Sequence, residues 1–589
     1  MCECLHPPPL HLPAPVRGQT RIPGSRGAPD AEVGLTAAMS NRWYKQAVIY
    51  SLEVDTYQDS DGDGCGDFQG LISRLDYLSR LGVTCLWLNP IHPSPHRDDG
   101  YDVADYYAVD PRLGTLGDFA ELALRAGERG IRLLLDLVVN HTSSAHPWFQ
   151  AARRDSSSPY RDWYVWSATE PADRRQGIVF PGEQTETWSF DEDAQAWYYH
   201  RFYDFQPDLN WSTPAVREEV KRIMGFWIQL GVSGFRIDAA PFVLELVEAD
   251  VDPGPMDWTI LDDWRQDVQW RRGDAVLLCE ANVDLGELSK YTGLQPAGPN
   301  DRSHMLFAFD LNARLWLALA RRRAEPLVDA LRSMPRLQDM AQWATFLRNH
   351  DELDLSRLTE QQRNDVWRAF APRADMRIYG RGIRRRLAPM LRGDPRRIRL
   401  AYALQFALPG SPVLRYGEEI GMAEDLALPD RNALRTPMQW EDYPNGGFST
   451  ASDPAALVRP TRRGGQYGYR AVNVRAQERD PDSLLRWFEH LTRTLRECPE
   501  IGVGTCSVIE VPPRAVLVHR FDAPKGSMLM IHNLDDAAVE LDLGPLDGAD
   551  RPFDVLTDSE YDQPDRRFRG LRLRGYGYRW IRLNRSNAA

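Results

Sequence analysis

From Asn41 onward, short apolar runs alternate with stretches of helical period, the pattern of a parallel sheet wrapped by helices. The runs cover residues 47–54, 84–89, 133–139, 234–238, 276–280, 306–309, 345–349 and 412–416, about the number that a TIM barrel requires. Between them, residues 71–81 keep Leu71, Leu75, Leu78 and Leu81 on one helical face, and Pro214 suits the first turn of a helix over 215–230. Each of these helices ends near a glycine, Gly82 and Gly231.

The alternation stops between Thr142 and Asn210, where a stretch rich in Trp, Tyr, Asp and Gly separates the third run from the fourth. After about Arg496 it gives way to short alternating segments at 515–521, 527–532 and 571–583. The expected organisation is α/β: a (β/α)8 barrel over 41–141 and 211–495, a subdomain inserted after the third strand at 142–210, and a C-terminal antiparallel β-sandwich at 496–589. The Arg-rich stretch 377–397 reads as a solvated helical face.

Composition narrows the function classes. The chain of 589 residues is 43% hydrophobic and 26% charged, ordinary for a globular protein. No run approaches the roughly 18 apolar residues of a membrane span, so no membrane partner is expected. A formal charge of -13 leaves no footprint for nucleic acid and favours a neutral or cationic small-molecule partner. The 18 Trp and 22 Tyr suit a large aromatic core and would equally suit stacking on sugar rings. Cys2, Cys4, Cys65, Cys85, Cys279, Cys498 and Cys506 are odd in number and lack metal-ligand spacing, which reads as a reduced, cytoplasmic protein. Residues 1–40 form a proline-rich extension, expected to be disordered and without the apolar stretch of a secretory signal; Met39 is an alternative start.

In a barrel of this kind catalytic groups close the C-terminal ends of the strands. The third run ends in Asp136-Leu-Val-Val-Asn140-His141, the fourth in Gly234-Phe-Arg236-Ile-Asp238, the fifth in Cys279-Glu280-Ala-Asn282 and the seventh in Arg348-Asn349-His350-Asp351. One aspartate after a strand is more often a helix cap than a catalyst; four polar endings of complementary chemistry are another matter. Arg236 and Asp238 lie two apart and share a face, so the cation should hold Asp238 ionised as a nucleophile. Glu280 follows four apolar residues, an approach that should keep it protonated as an acid. A pair of carboxyls in opposed environments is what glycoside cleavage needs. His141 and His350 are plausible donors to sugar hydroxyls.

These segments resemble, in order, the sequence boxes of the α-amylase superfamily, glycoside hydrolase family 13, over nearly the whole chain from Trp43. The resemblance implies that Asp238 is the nucleophile, Glu280 the general acid/base and Asp351 a third carboxylate that binds and distorts the sugar. It implies that Arg236, His141 and His350 contact substrate or nucleophile and that Asp136 braces the arginine. Gly100-Tyr101-Asp102 resembles the family loop in which the tyrosine stacks on the cleaved glucose and the aspartate grips its far hydroxyls.

The segment Asp59-Ser-Asp61-Gly-Asp63-Gly-Cys65-Gly-Asp67 spaces acidic oxygens like the opening of an EF-hand loop, although Gly70 stands where an EF-hand has its glutamate. The resemblance implies a calcium loop here, with the Cys65 carbonyl among the ligands, and a second calcium at Asn140, Asp208 and Glu245; no organic cofactor is expected. Stretches such as 97–102, 146–150, 206–210, 347–353 and 382–389 are most similar to the trehalose synthase branch, which interconverts maltose and trehalose by intramolecular glucosyl transfer. That branch carries a tyrosine where this chain has Phe242, an acidic residue at Ser356 and a longer polar motif at 247–258. These departures remove polar lid contacts and bring in an alternative beside that first reading, a hydrolysing α-glucosidase or amylase-type enzyme in which water intercepts the intermediate. A binding or transporter-associated relative is disfavoured because the three carboxylates are kept.

Overall fold

The computed structural model describes residues 42–247, 254–293 and 301–583. The N-terminal extension, and residues 248–253 of the 247–258 stretch, therefore lie outside the described residues.

Eight parallel strands close a barrel: β1 (Ile49–Leu52), β2 (Cys85–Leu88), β3 (Arg132–Leu137), β4 (Gly234–Ile237), β5 (Val276–Cys279), β6 (Met305–Phe307), β7 (Gln342–Phe346) and β8 (Ser411–Arg415), each hydrogen-bonded to its sequence neighbours and β8 to β1. All eight expected runs are strands. They are almost entirely buried because a barrel strand packs one face on the barrel interior and the other on the helix ring. Two apolar clusters express the two faces. Ile49, Cys85, Trp87, Leu134, Leu278 and Phe307 fill the interior, while Tyr50, Leu52, Leu86, Leu133 and Leu135 join the larger core beneath the helices.

Register positions the chemistry. Asp136 on β3 is paired with Arg236 on β4, and Ile237 with Cys279 on β5, so the residues that follow, Asp238 and Glu280, emerge side by side at one level of the C-terminal mouth. Leu137 and Ile237 extend this ladder by accepting hydrogen bonds from the backbone N–H groups of Asp238 and Glu280.

Between β3 and β4 the chain forms the helix Pro147–Arg154 and a three-stranded antiparallel sheet of Trp166–Ser167, Ala196–Tyr199 and Trp188–Asp191. At the C-terminus, Thr505–Ile509, Val516–Ala523, Gly526–Asn533, Tyr578–Leu583 and Phe553–Thr557 make an antiparallel sheet, and Val539–Leu541 pairs with Leu571–Leu573. Alternation places Leu517 and Phe521 in the large core and Val516 and Val518 against the small sheet.

Three local expectations are corrected. The helix over 71–81 is two helices, Phe68–Ser73 and Leu75–Arg80, parted at Arg74, whose backbone (φ -102°, ψ 1°) departs from helical values while its guanidinium lies 4.1 Å from the Trp440 ring centre and bonds Gln58. The segment 571–583 is two strands separated by a turn with Tyr576 at φ +59°. Residues 377–397 are not a solvated helical face: Arg384 donates to the carbonyls of Leu426, Leu428 and Asp430, Arg385 pairs with Glu424 at 2.7 Å, and the 1% exposed Arg386 binds the carbonyls of Tyr416 and Leu434. Arginine forks satisfy loop carbonyls there, a role that periodicity does not register.

Candidate active site

A cavity of about 480 Å³ opens at the C-terminal mouth, lined by Tyr101, His141, Asp238, Glu280 and Asp351 among the expected residues, with Asp98, Phe180, Phe202, Phe242, Glu352 and Arg431. Arg236 and Asp136 lie beneath it. The Arg236 guanidinium serves three carboxylates at once. One terminal nitrogen, Nη1, binds Asp136 Oδ1 at 2.7 Å and also Asp238 Oδ1; the other, Nη2, binds Glu280 Oε2 at 2.7 Å. Asp136 is further fixed by Trp87 Nε1 at 3.1 Å and the Tyr101 hydroxyl at 3.0 Å, so it braces the arginine. Asp238 and Glu280 thus sit on the two prongs of one rigid planar fork. The backbone N–H of Ala239 also donates to Glu280 at 3.1 Å, from a residue held at φ +47°. A left-handed alanine costs roughly 1–2 kcal/mol, strain of the kind found at functional sites.

The electrostatics correct one expectation. Asp238 is not held low: burial outweighs the single cation and pushes its pKa up to about 6, with Asp136 adding to the rise. Burial likewise raises Glu280, aided by Asp238 and Asp351, and pushes Asp136 up to about 6. One charge divided among three buried carboxyls cannot offset the desolvation of all of them. The two facing acids are therefore both poised toward neutrality. Asp351 differs: against its burial, His350, Arg431 and Arg435 hold it well below the usual carboxylate range. Arg431 Nη1 (2.8 Å) and Arg435 Nη2 (3.0 Å) share its Oδ1, and His350 Nε2 lies 3.0 Å from Oδ2.

Other expected contacts are placed differently. Asp102 is wholly buried away from the cavity, where Ser94 Oγ (2.7 Å) and the Arg97 and Asp98 backbone N–H groups occupy it. Asp98 takes the cavity position, bound by Arg431 at 2.7 Å and Gln206 at 3.0 Å. His141 lines the cavity, but its Nε2–H is donated to the Tyr101 carbonyl at 2.9 Å, and burial lowers its pKa to about 4. His350 Nε2 is engaged by Asp351 and by the Tyr101 hydroxyl at 2.7 Å, its ring stacked on Tyr101. Both histidines therefore order the site's own groups. Sequence reasoning missed Arg431, Arg435, Asp98 and Glu352; burial pushes Glu352 up to about 7. Asp98 and Glu352 stand inside the stretches 97–102 and 347–353 singled out for other reasons, whereas Arg431 has no signal of its own.

The acidic loop folds so that one carboxylate oxygen each from Asp59, Asp61 and Asp67 lies within 4.8 Å of the others, a donor set suited to a hard cation. Asp63 is outside that group, its Oδ1 accepting from the Cys65 backbone N–H at 2.7 Å. At the second expected site the buried Asn140 amide lies beside Asp208, whose pKa is pushed up to about 7 by burial. Glu245 does not join them; it is bound by Arg201 at 2.7 Å and by the Gly254 backbone N–H.

Known proteins resemble the chain over most of its length. The family model described as alpha amylase, catalytic domain, matches residues 50–376 and 384–502, and that of a sucrose hydrolase-like C-terminal domain matches 526–582. The trehalose synthase/amylase TreS of Mycobacterium tuberculosis (strain ATCC 25618 / H37Rv) is 40% identical over 579 residues, covering 97% of this chain and 95% of the relative. The trehalose synthase of Pimelobacter sp. (strain R48) is 39% identical over 555 residues, 92% of this chain and 96% of the relative. Among solved structures, the α-amylase from H.orenii superposes with a TM-score of 0.74 at 26% identity, over 92% of this chain and 100% of that one.

Proposed function

This chain belongs to the α-amylase family, glycoside hydrolase family 13, and from that premise we propose that it interconverts maltose and trehalose through a covalent glucosyl-aspartate, as a retaining enzyme. The observation that carries the proposal is the Arg236 fork with Asp238 on one prong and Glu280 on the other, an arrangement that suits the roughly 5–5.5 Å carboxyl separation of retaining glycosidases. The choice of isomerase over other family activities is supported by the trehalose synthases about 40% identical over most of the chain.

In this reading Asp238 Oδ forms a bond to the anomeric carbon as the glycosidic C–O bond breaks, and the Glu280 proton passes to the departing oxygen. Burial favours that protonated Glu280, while an Asp238 of pKa about 6 is largely ionised at neutral pH. Glu280 then takes the proton from the hydroxyl of the retained glucose that attacks the intermediate, and the Asp238 bond is released. Asp351, with Asp98 and Arg431, binds ring hydroxyls of the transferred glucose. Phe180, Phe202 and Phe242 supply an apolar wall that keeps water from the intermediate.

One observation favours hydrolysis as a second reading. Ser356 is exposed at the rim and Phe242 offers no hydroxyl, so neither position brings the acidic or phenolic group expected of a closed lid. A long incubation with maltose, its sugars separated and quantified, decides between the two. Trehalose with little glucose supports isomerisation; glucose alone refutes it.

We further propose a structural calcium at Asp59, Asp61 and Asp67 with Asp63 and Cys65 completing the loop, and a second beside Asn140 and Asp208. The free buried thiols of Cys65, Cys85, Cys279 and Cys498 support a reducing, cytoplasmic setting. No helix among the described residues is long and apolar enough to cross a membrane.

A further inference from the structure

Behind the cavity, an ion-pair chain runs from Asp351 to a segment that touches no substrate space. Arg435 binds Asp351 Oδ1 with one terminal nitrogen and Asp99 Oδ2 with the other, while its Nε donates to the His350 carbonyl at 3.0 Å. Asp99 is held a second time, by Arg459 Nη2 on Oδ1, and Arg459 Nη1 lies 3.6 Å from Asp55 Oδ2. Arg459 is 8% exposed and is absent from the cavity lining. Its location is set from outside the site: Val458 N–H donates to Gly64 O and Asp59 N–H to Phe448 O, each at 2.9 Å, which clasps the segment before Arg459 onto the acidic loop.

We propose that Arg459 is a positioning residue for Asp351, acting by holding Asp99 so that Arg435 remains committed to the Asp351 carboxylate. The reasoning is a division of charge. Asp99 demands a cation on each oxygen. Without Arg459 that demand falls mainly on Arg435, whose other prong then yields Asp351 to Arg431 and His350. The groups facing Asp351 are the cations Arg431, Arg435 and His350, with Arg348 on its carbonyl, and against them Asp238, Glu280, Glu352 and Tyr101. Weakening one of three close cations loosens the hold on the Asp351 carboxylate, which stays ionised through the range in which Asp238 titrates.

This inference rests on the reading that an ionised Asp351 binds the sugar, and its test separates the two. The pH profiles of kcat and KM are measured with maltose for wild type, Arg459→Met, Arg459→Lys and the Asp99→Asn/Arg459→Met double variant. Glucose binding against pH, followed by calorimetry, supplies a readout independent of turnover. Arg459→Met is expected to lower kcat about tenfold with KM changed less and to weaken glucose binding, while the acid limb, which Asp238 sets, stays in place. Arg459→Lys should retain most of the wild-type activity. The double variant should return kcat and glucose affinity toward wild-type values, because removing Asp99 removes the competing demand on Arg435; a purely structural role for Arg459 would not be rescued in this way. Unchanged kcat and glucose affinity in Arg459→Met, or a double variant as impaired as the single, overturns the proposal. If Arg459→Met fails to fold, Asp99→Asn alone serves: it frees Arg435, so weaker glucose binding there overturns the idea. A wild type that turns over no α-glucoside yet binds glucose with the expected differences among the variants would sink the functional reading and leave the positioning role standing.

Discussion

Replacing Arg236 with methionine removes the one cation shared by Asp136, Asp238 and Glu280, and the consequence for rate can be worked from the geometry. Unit charges 4 Å apart interact by about 4 kcal/mol at an effective dielectric of 20, and Arg236 is nearer than that to all three carboxyls. Counting half of this for Asp238, about 2 kcal/mol, makes the carboxyl about 1.5 pH units harder to ionise. From a pKa of about 6, Asp238 is about nine-tenths ionised at pH 7; after the change it would be about one quarter ionised. The assay is kcat/KM for maltose across pH 5 to 10. The acid limb should move up by about 1.5 units, so that activity lost at neutral pH is partly recovered in alkali. Arg236→Lys, which keeps the charge and loses the fork, should leave the limb near its wild-type position while lowering the whole profile. Folding is a separate readout, since stranding buried carboxyls costs about 3–5 kcal/mol of stability. A variant whose profile drops uniformly with its limb unmoved would refute the claim that Arg236 acts by ionising Asp238.

Stripping divalent ions with a chelator should lower Tm, and added calcium should restore it; a ligand at 100 times its Kd stabilises by about 2.7 kcal/mol. Asp59→Asn should abolish that difference, and an unchanged calcium response would argue against the loop as the site. Gly64→Ala should lower Tm by an amount corresponding to at least about 1–3 kcal/mol: the residue sits at φ +98°, and a Cβ would lie 2.2 Å from the Ala456 carbonyl oxygen. A wild-type melting curve would contradict that contact. Asp98→Asn should raise KM for maltose about tenfold or more, whereas Asp102→Asn should lower Tm with a smaller effect on KM; the reverse ranking would mean that Asp102 reaches substrate.

What could be seen in the sequence follows from which interactions are local. Barrel strands announce themselves because each is a short apolar run ended by a polar residue, and because β3, β4 and β5 carry their chemistry at that end. Asp136, Arg236, Asp238 and Glu280 were legible for this reason, and register alone then brings them together. The break at Arg74 was not legible, since leucine spacing continues through it and the cause is a contact with Trp440, more than 360 residues away.

The same distinction explains the electrostatic error. Read along the strand, Arg236 and Asp238 form a private pair, and a private cation would keep the carboxylate ionised. Folded, two further carboxyls from neighbouring strands claim the same guanidinium, so the sign of the shift is decided by residues that the local pattern cannot weigh. Asp351 shows the converse: its motif contains one imidazole, yet two arginines from the segment 431–435 make it the most strongly ionised carboxylate of the site. The three carboxylates therefore divide their roles by how many cations each shares. Asp238 and Glu280 divide one among three, so burial raises both above the usual carboxylate range. Asp351 has two arginines and is fixed as an anion, which is what the proposed binding of sugar hydroxyls through both steps would require.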